Sequence, residues 1–526
     1  MKFTGSRVFN LVVVLVLGVI FGSVIHAQSK SSAKTDGPEL ALFNKLLDAV
    51  EENSAVTVDS DKAIYGAIDG MLRTLDPHSK FFDPSAFKSL QEDQTGKFYG
   101  LGILITTRFG KVTIISPPYK GSPAEKVGLH VGDVINTVEG QPTSTLDVNA
   151  VVGKLRGPQG TAVNITVMRP GVTNPIPFRV IRDQIAKFTI NNSYMIRPGI
   201  GYIKLDSFAE TSGQELKDAL KQLDAKHLDG LIFDLRGNPG GLLTQAIDVA
   251  ATFLQRDQVI LQTVGRLAGS TKKYPSMVTN TDNVYPMVVL INQNSASASE
   301  IVSGALQDHD RALIIGDVSF GKGLVQSVYR LGTKQDTGLA LTTQKWLTPS
   351  GRLIQRDYSQ ISQFDYYNHR DTPVNPANTQ TMFSDVGRPL FGGGGITPDH
   401  VVSIPELNDF QDLIARKYAV FGFVANFVLA SNPTITLDFQ VPDSMIADFK
   451  KYLKSRSIEF TDVDFESNKD YIKRMIKAEV FQDRLGVTEA ARVVLDADPQ
   501  VLAALNSMPE AKALNANKTR RQVAQR

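Results

Sequence analysis

Cysteine is missing altogether from the 526 residues. That excludes disulfides, thiolate metal sites, a cysteine nucleophile and a lipid-modified N-terminal cysteine. An exported form of this chain is therefore held together by packing alone. A dominant charge is missing too. Lys and Arg number 56 against 54 Asp and Glu, a formal net charge of +2, so no field suited to nucleic acid arises and none is expected as a partner. Several catalytic signatures are absent as well: there is no GxSxG elbow, no HExxH and no GxxxxGK[ST] phosphate loop. The histidines form no ligand pattern. His78 follows a proline turn, His130 and His227 fall in surface turns, His369 and His400 in loops, and His309 just past a helix end. No metal and no cofactor is expected. Three SxxK spacings (Ser31–Lys34, Ser85–Lys88, Ser270–Lys273) lack the partner motifs that would give them meaning.

What remains is an ordinary globular composition, 42% hydrophobic and 21% charged. The length suggests two to four domains. Lys2 and Arg7 precede an apolar run from Val8 to about Ile25, and "VIHA" ends in the small residue Ala27. Residues 1–38 therefore read as a signal peptide or a membrane anchor through residues 8–25, followed by a polar linker. Both readings export the rest of the chain. Residues 39–95 carry apolar residues at three- and four-residue spacing, broken by Asp76-Pro77 and Asp83-Pro84, and predict a helical region. Over 96–182 the period shortens. "YGLGILITTRFGKVTIISP" predicts two strands around a turn at Phe109-Gly110, "SPAEKVGL" a short helix and "TAVNITVMRP" a closing strand. Residues 183–400 form the next unit, and within it 199–347 alternates strands and helices, as in a buried, mostly parallel sheet. Residues 357–395 are polar and predict a long loop. Residues 401–526 are helical and charged, with a solvated end carrying Lys518, Arg520, Arg521 and Arg526.

Ligands in an open parallel sheet sit beyond the carboxyl ends of its strands. Three successive strands there end in "DLRGNPGG" (Asp234–Gly241), "INQNSASASE" (Ile291–Glu300) and "GDVSFGKG" (Gly316–Gly323). A hydroxyl needs an adjacent base to become a nucleophile. Lysine serves only where burial or neighbours lower its pKa. A glycine turn can aim backbone N–H groups at one spot as an oxyanion hole. Each piece alone has a plainer meaning. "SASE" is a capping box with Ser297 as N-cap and Glu300 reaching back; "RGNPGG" is a turn; Gly-Lys-Gly is a loop. Their conjunction at neighbouring strand ends favours acyl transfer.

With these residues in place, the chain resembles the C-terminal processing peptidases, also called tail-specific proteases. The resemblance runs from about residue 40 to 400. It rests on "GMLRTLDPHSKFFDP", "GKFYGLGI", "GSPAEKVGLHVGDVI", "LRGPQGT", "FDLRGNPGG", "NSASASEIVSGALQD", "GKGLVQ" and "GGGITPD". It implies a multidomain α+β protein: an N-terminal helical region, a PDZ domain, an α/β, crotonase-like serine protease core and a helical C-terminal region. It also implies a serine–lysine endopeptidase acting through an acyl-enzyme, exported to the periplasm or the outer face of a bacterial inner membrane. The nucleophile is then Ser297, the general base Lys322, and Gln326 the residue that orients the lysine. The oxyanion hole comes from Ala298 and a glycine, Gly241 rather than Gly240. Asp308 of "ALQD" matches an accessory acid used in some members, and Trp346 stands where tyrosine is common. The PDZ loop of Tyr99, Gly100, Leu101, Gly102 and Ile103 would hold the apolar C-terminus of a protein or peptide substrate, added as a strand along Ile103–Ile105. Arg156 would couple that domain to the protease, or be a surface arginine in a turn. A homo-oligomer or an adaptor is compatible with the family. The rival readings are a non-catalytic PDZ scaffold in the cell envelope and a different acyl hydrolase on the same fold, acting on small esters.

Overall fold

The computed structural model describes residues 37–279, 284–332, 336–368, 381–431 and 433–524. The expected signal or anchor lies outside the described residues.

Helices Pro38–Asn53, Ser60–Arg73 and Pro84–Thr95 open the chain, with strand Lys80–Phe82 between the last two. Local chemistry sets their limits. Asp59 and Asp83 are N-caps that accept the Lys62 and Ala86 amides, and Gly96 ends the third helix in the left-handed conformation. Strand Lys80–Phe82 pairs with Gly338–Leu347 of the α/β core and ties this end of the region to it, while helix Pro38–Asn53 buries no residue.

The next unit is a strand-rich module. Strands Ile105–Arg108, Lys111–Ile114, Val134–Val138, Ala162–Met168 and Ile176–Ile181 lie in that spatial order. Positive φ at Phe109 (51°) and Gly110 (72°) makes the predicted tight turn. Alternate residues Val163, Ile165 and Val167 point into a core shared with Ile114 and Val151 of helix Val148–Leu155. Entry and exit run together, since Lys97–Gly100 pairs antiparallel with Asp183–Ala186.

The α/β core is built on a six-stranded sheet. Its order is Asn192–Arg197, Ile200–Lys204, Gly230–Asp234, Met287–Ile291, Leu313–Gly316 and His400–Val401, and every pairing but the first is parallel. "GLIFD" and "MVVLI" are buried at every position because both faces are covered. Helices Ser212–Gln222, Leu243–Ala251 and Ala298–Asp308 cover one face, through Leu216, Val249 and Val302. The other face is covered by the last two helices, Pro499–Asn506 and Met508–Ala524. Val501 and Ala504 there are fully buried against Ile232, Val288 and Leu290. The charged end of the sequence thus follows an apolar stripe at 501, 504, 508, 511 and 514 that completes the core. A second sheet, built around Gly338–Leu347, carries Leu324–Arg330 on one side and Val259–Gly265 on the other.

Helices between Asp409 and Arg484 have a separate core around Phe449, Phe465, Ile472 and Ile476. The described parts of residues 357–395, namely 357–368 and 381–395, depart from the expected long polar loop. They include helix Gln363–Asn368, the short strands Met382–Phe383 and Pro389–Leu390, and the fully buried Tyr366. Polar composition hid this element, because its contacts are to aromatic rings and hydroxyls distant in sequence.

Candidate active site

Ser297 is the N-cap of helix Ala298–Asp308, with φ 54° and ψ −111°. Such a conformation costs a residue with a Cβ about 1–3 kcal/mol and persists only where neighbours impose it. Four hydrogen bonds do so. The Ser297 N–H donates to Glu300 Oε2 at 2.7 Å, which is the reach-back of the capping box. The Ala296 N–H donates to the Asn238 carbonyl at 3.0 Å. Ser295 Oγ donates to the Leu235 carbonyl and Ser299 Oγ to the Asn238 carbonyl, both at 2.9 Å. Ser295 and Ser299 are fully buried stitches between the serine turn and the glycine turn, whereas Ser297 is half-buried and lines a cleft.

The glycine turn is shaped by Asn238. Its Nδ2 donates to the Leu205 carbonyl at 2.9 Å and its Oδ1 accepts the Gly240 N–H at 2.8 Å. Gly240 has φ 99°, and a Cβ there would stand 2.9 Å from the Cβ of Ser297 and 2.9 Å from the Ala298 nitrogen. Only glycine permits this approach. With the Gly240 amide engaged by Asn238, the amides of Gly241 and Ala298 have no acceptor among the described residues. Both residues line the cleft beside Ser297.

Lys322 lies between strands Leu313–Gly316 and Leu324–Arg330. Its N–H donates to Glu300 Oε2 at 2.9 Å, and its carbonyl accepts from the indole of Trp346 at 3.0 Å. Its Nζ donates to Gln326 Oε1 at 2.7 Å. Gln326 sits where the pairing with Gly338–Leu347 shifts register, a local break that re-aims a side chain. Burial pushes the Lys322 ammonium below the ordinary lysine range, while the Glu300 and Asp76 carboxylates act against that. A cavity of about 960 Å³ is lined by Gly240, Gly241, Ser297, Ala298, Lys322 and Gln326. The arrangement joins a hydroxyl, a desolvated amine and two open amides on one wall.

A second groove, about 270 Å³, opens along Gly100, Leu101, Gly102, Ile103, Val152 and Leu155. Gly102 has φ 81°, and a Cβ there would meet the Ser122 Cβ at 2.4 Å. The outer edge of Ile105–Arg108 pairs with no strand of the sheet. Tyr99 is not part of the lining; Phe98 and Gly100, on either side of it in the strand, are. Arg156, at the end of helix Val148–Leu155, pairs with Glu92 at 2.6 Å and covers the Phe98 ring at 4.8 Å. It therefore bridges the strand-rich module to helix Pro84–Thr95. Asp93, Tyr119 and Lys187 line both the groove and the serine cleft.

Residues 199–362 match peptidase family S41 and residues 114–169 match the PDZ domain. A carboxy-terminal-processing protease of Bartonella bacilliformis is 38% identical over 352 residues, which cover 65% of this chain and 80% of that one. The chain belongs to the carboxy-terminal processing proteases of peptidase family S41. The peptidase is also 34% identical to carboxy-terminal processing protease CtpB of Bacillus subtilis, over 70% of this chain and 77% of that one. Its match to the solved photosystem II D1 C-terminal processing protease has 25% identity, covers 69% of this chain and 92% of that chain, and has a TM-score of 0.36. Residues 434–486 match a family of unknown function. The peptidase is thus a serine-type enzyme with a PDZ domain.

Several residues have other parts in this site than the sequence suggests. Glu300, read there as a helix cap, also binds the lysine loop. Its carboxylate accepts from the Ser319 hydroxyl and from the Gly321 and Lys322 amides as well as from Ser297. Burial pushes this carboxyl up, and the four donors pull it back. Asn238 is hidden inside what reads as a turn. His78, passed over as a turn residue, offers its carbonyl to Gln326 Nε2 at 2.5 Å. Asp308 forms a buried pair with Arg352, and His309 bonds Asp385 and the Val259 carbonyl. Neither Asp308 nor His309 lines the cleft.

Proposed function

We propose that the peptidase cleaves protein substrates with Ser297 as nucleophile and Lys322 as general base, after its PDZ groove has taken the substrate's apolar C-terminus. The observation that carries this reading is the desolvated Lys322, held by Gln326 on the same cleft as the strained Ser297 and two unpartnered amides. The Ser297 Oγ attacks the scissile carbonyl carbon and its proton passes to Lys322 Nζ. The Gly241 and Ala298 amides receive the charge on the carbonyl oxygen. The C–N bond breaks as Lys322 returns the proton to the leaving amine, and water then hydrolyses the Ser297 ester by the reverse proton path. No metal or cofactor enters these steps. The open edge at Ile103–Ile105 accepts the substrate tail as an added strand, and the amides near Leu101 and Gly102 hold its terminal carboxylate. The basic, then apolar, start of the sequence supports export to the cell envelope.

Covalent labelling tests the chemistry. A fluorophosphonate should add its mass to the peptide containing Ser297, and Ser297→Ala should take up none. Lys322→Ala should label at least about 100-fold more slowly, in line with the effect of general bases. Because the base must be neutral, the rate should rise with pH to a plateau whose inflection lies below the ordinary lysine value of about 10.4. Equal labelling of Ser297→Ala and wild type would refute the assignment.

A further inference from the structure

Gln326 presents its oxygen to Lys322. Turned end for end, it would present an NH2 group, which opposes the ammonium and, against the neutral amine, takes up the lone pair a base needs. The His78 carbonyl, which accepts from Gln326 Nε2, opposes that turn. A carbonyl only accepts, so Gln326 must give it the N–H and offer its oxygen to the lysine.

That carbonyl lies in a tightly held turn. The N–H groups of His78 and Ser79 both donate to Asp76 Oδ1 at 2.8 Å, and Ser79 Oγ donates to Asp76 Oδ2 at 2.7 Å. The imidazole is gripped as well, with Nε2 2.9 Å from the Tyr366 hydroxyl and Nδ1 3.2 Å from that of Tyr367. Tyr367 donates to the Pro77 carbonyl at 2.8 Å, and Tyr366 accepts from Gln355 Nε2 at 3.1 Å. The directions follow. With the Tyr367 proton on Pro77, His78 Nδ1–H donates to the Tyr367 oxygen, and Nε2 accepts from Tyr366. A neutral imidazole satisfies every member of this chain. Phe320 packs edge-on against both His78 and Tyr366.

We propose that the turn Asp76–Ser79, clamped by Tyr366 and Tyr367, is a positioning element that fixes the amide of Gln326 and thereby turns the Lys322 lone pair toward Ser297. This rests on Lys322 being the base. His78 and Tyr366 act through Gln326 and touch no reacting atom.

The test is a double-mutant cycle read by fluorophosphonate labelling of the full chain across pH. Tyr366→Phe removes one hydroxyl and little volume. Loss of that hydrogen bond should slow labelling about tenfold and shift the inflection of the pH–rate profile, while the affinity of the PDZ groove for an apolar-ended peptide stays unchanged. In a Gln326→Ala background the same substitution should cost nothing further, because the link is already cut. Should Tyr366→Phe fail to fold, Tyr367→Phe carries the same cycle. A wild-type pH profile for the single variant, or the same tenfold loss in both backgrounds, would overturn the proposal. Labelling that survives Ser297→Ala would instead remove the reading it rests on.

Discussion

At Ser297 a helix start and a chemical group coincide. In the proposed mechanism the capping box at Ser297 also aims its hydroxyl, because Glu300 accepts the Ser297 N–H and the Lys322 N–H with one oxygen. One buried carboxylate thus sets the distance between the two halves of the pair. Glu300→Gln should put an NH2 group against some of these donors, lowering stability by about 2–3 kcal/mol and slowing acylation more than it weakens peptide binding. Urea unfolding and labelling rates check both. His78 supplies a second test at this scale. Burial first, then the Lys322 and Arg356 charges, push its imidazole down to about 3, with Asp76 acting against them. The unfolded histidine takes up its proton near pH 6.5, so between there and about 3 the unfolded state binds more protons and stability falls as pH falls. At pH 5.5 the loss from this one residue should be about 1.4 kcal/mol. His78→Gln removes that titration, so its stability should drop less than wild type between pH 7.5 and 5.5.

The elements explain which parts were legible. Strands such as "GLIFD" and "MVVLI" announce burial by composition, and the Phe109-Gly110 turn by its chemistry. That Gly241, Ser297 and Lys322 meet on one cleft was legible because three strand ends carry unusual short sequences. The aromatic clamp was not, since His78 and Tyr366 meet across 288 positions. Nor was the second cover of the sheet, where charged neighbours masked the stripe from Val501 to Leu514. Large apolar side chains buried there are worth about 1.5–3 kcal/mol each, against a net stability of about 5–15 kcal/mol. A chain ending at Asp498 should therefore lose its cooperative unfolding transition and aggregate, as read by melting and light scattering. Helix Pro84–Thr95 has another task. It joins the Arg156–Glu92 pair at one end to strand Lys80–Phe82 and the His78 turn at the other. Arg156→Ala should reduce activation by C-terminal peptides while leaving fluorophosphonate labelling without peptide unchanged; equal activation would confine Arg156 to packing.

On the scale of the molecule, two cavities share one border. The groove along Leu101–Ile105 and the cleft at Ser297 both touch Asp93, Tyr119 and Lys187. In the proposed function, a chain anchored by its last residue runs past these side chains to the serine. The measurement that tests this most directly uses two unfolded substrates, identical except for a final apolar residue in one and Asp in the other. The account predicts that wild type degrades the apolar-ended protein at least about tenfold faster, the factor that 1.4 kcal/mol of tail binding would give, and that Ser297→Ala degrades neither. Equal degradation of both substrates, or cleavage by Ser297→Ala at the wild-type rate, would contradict it.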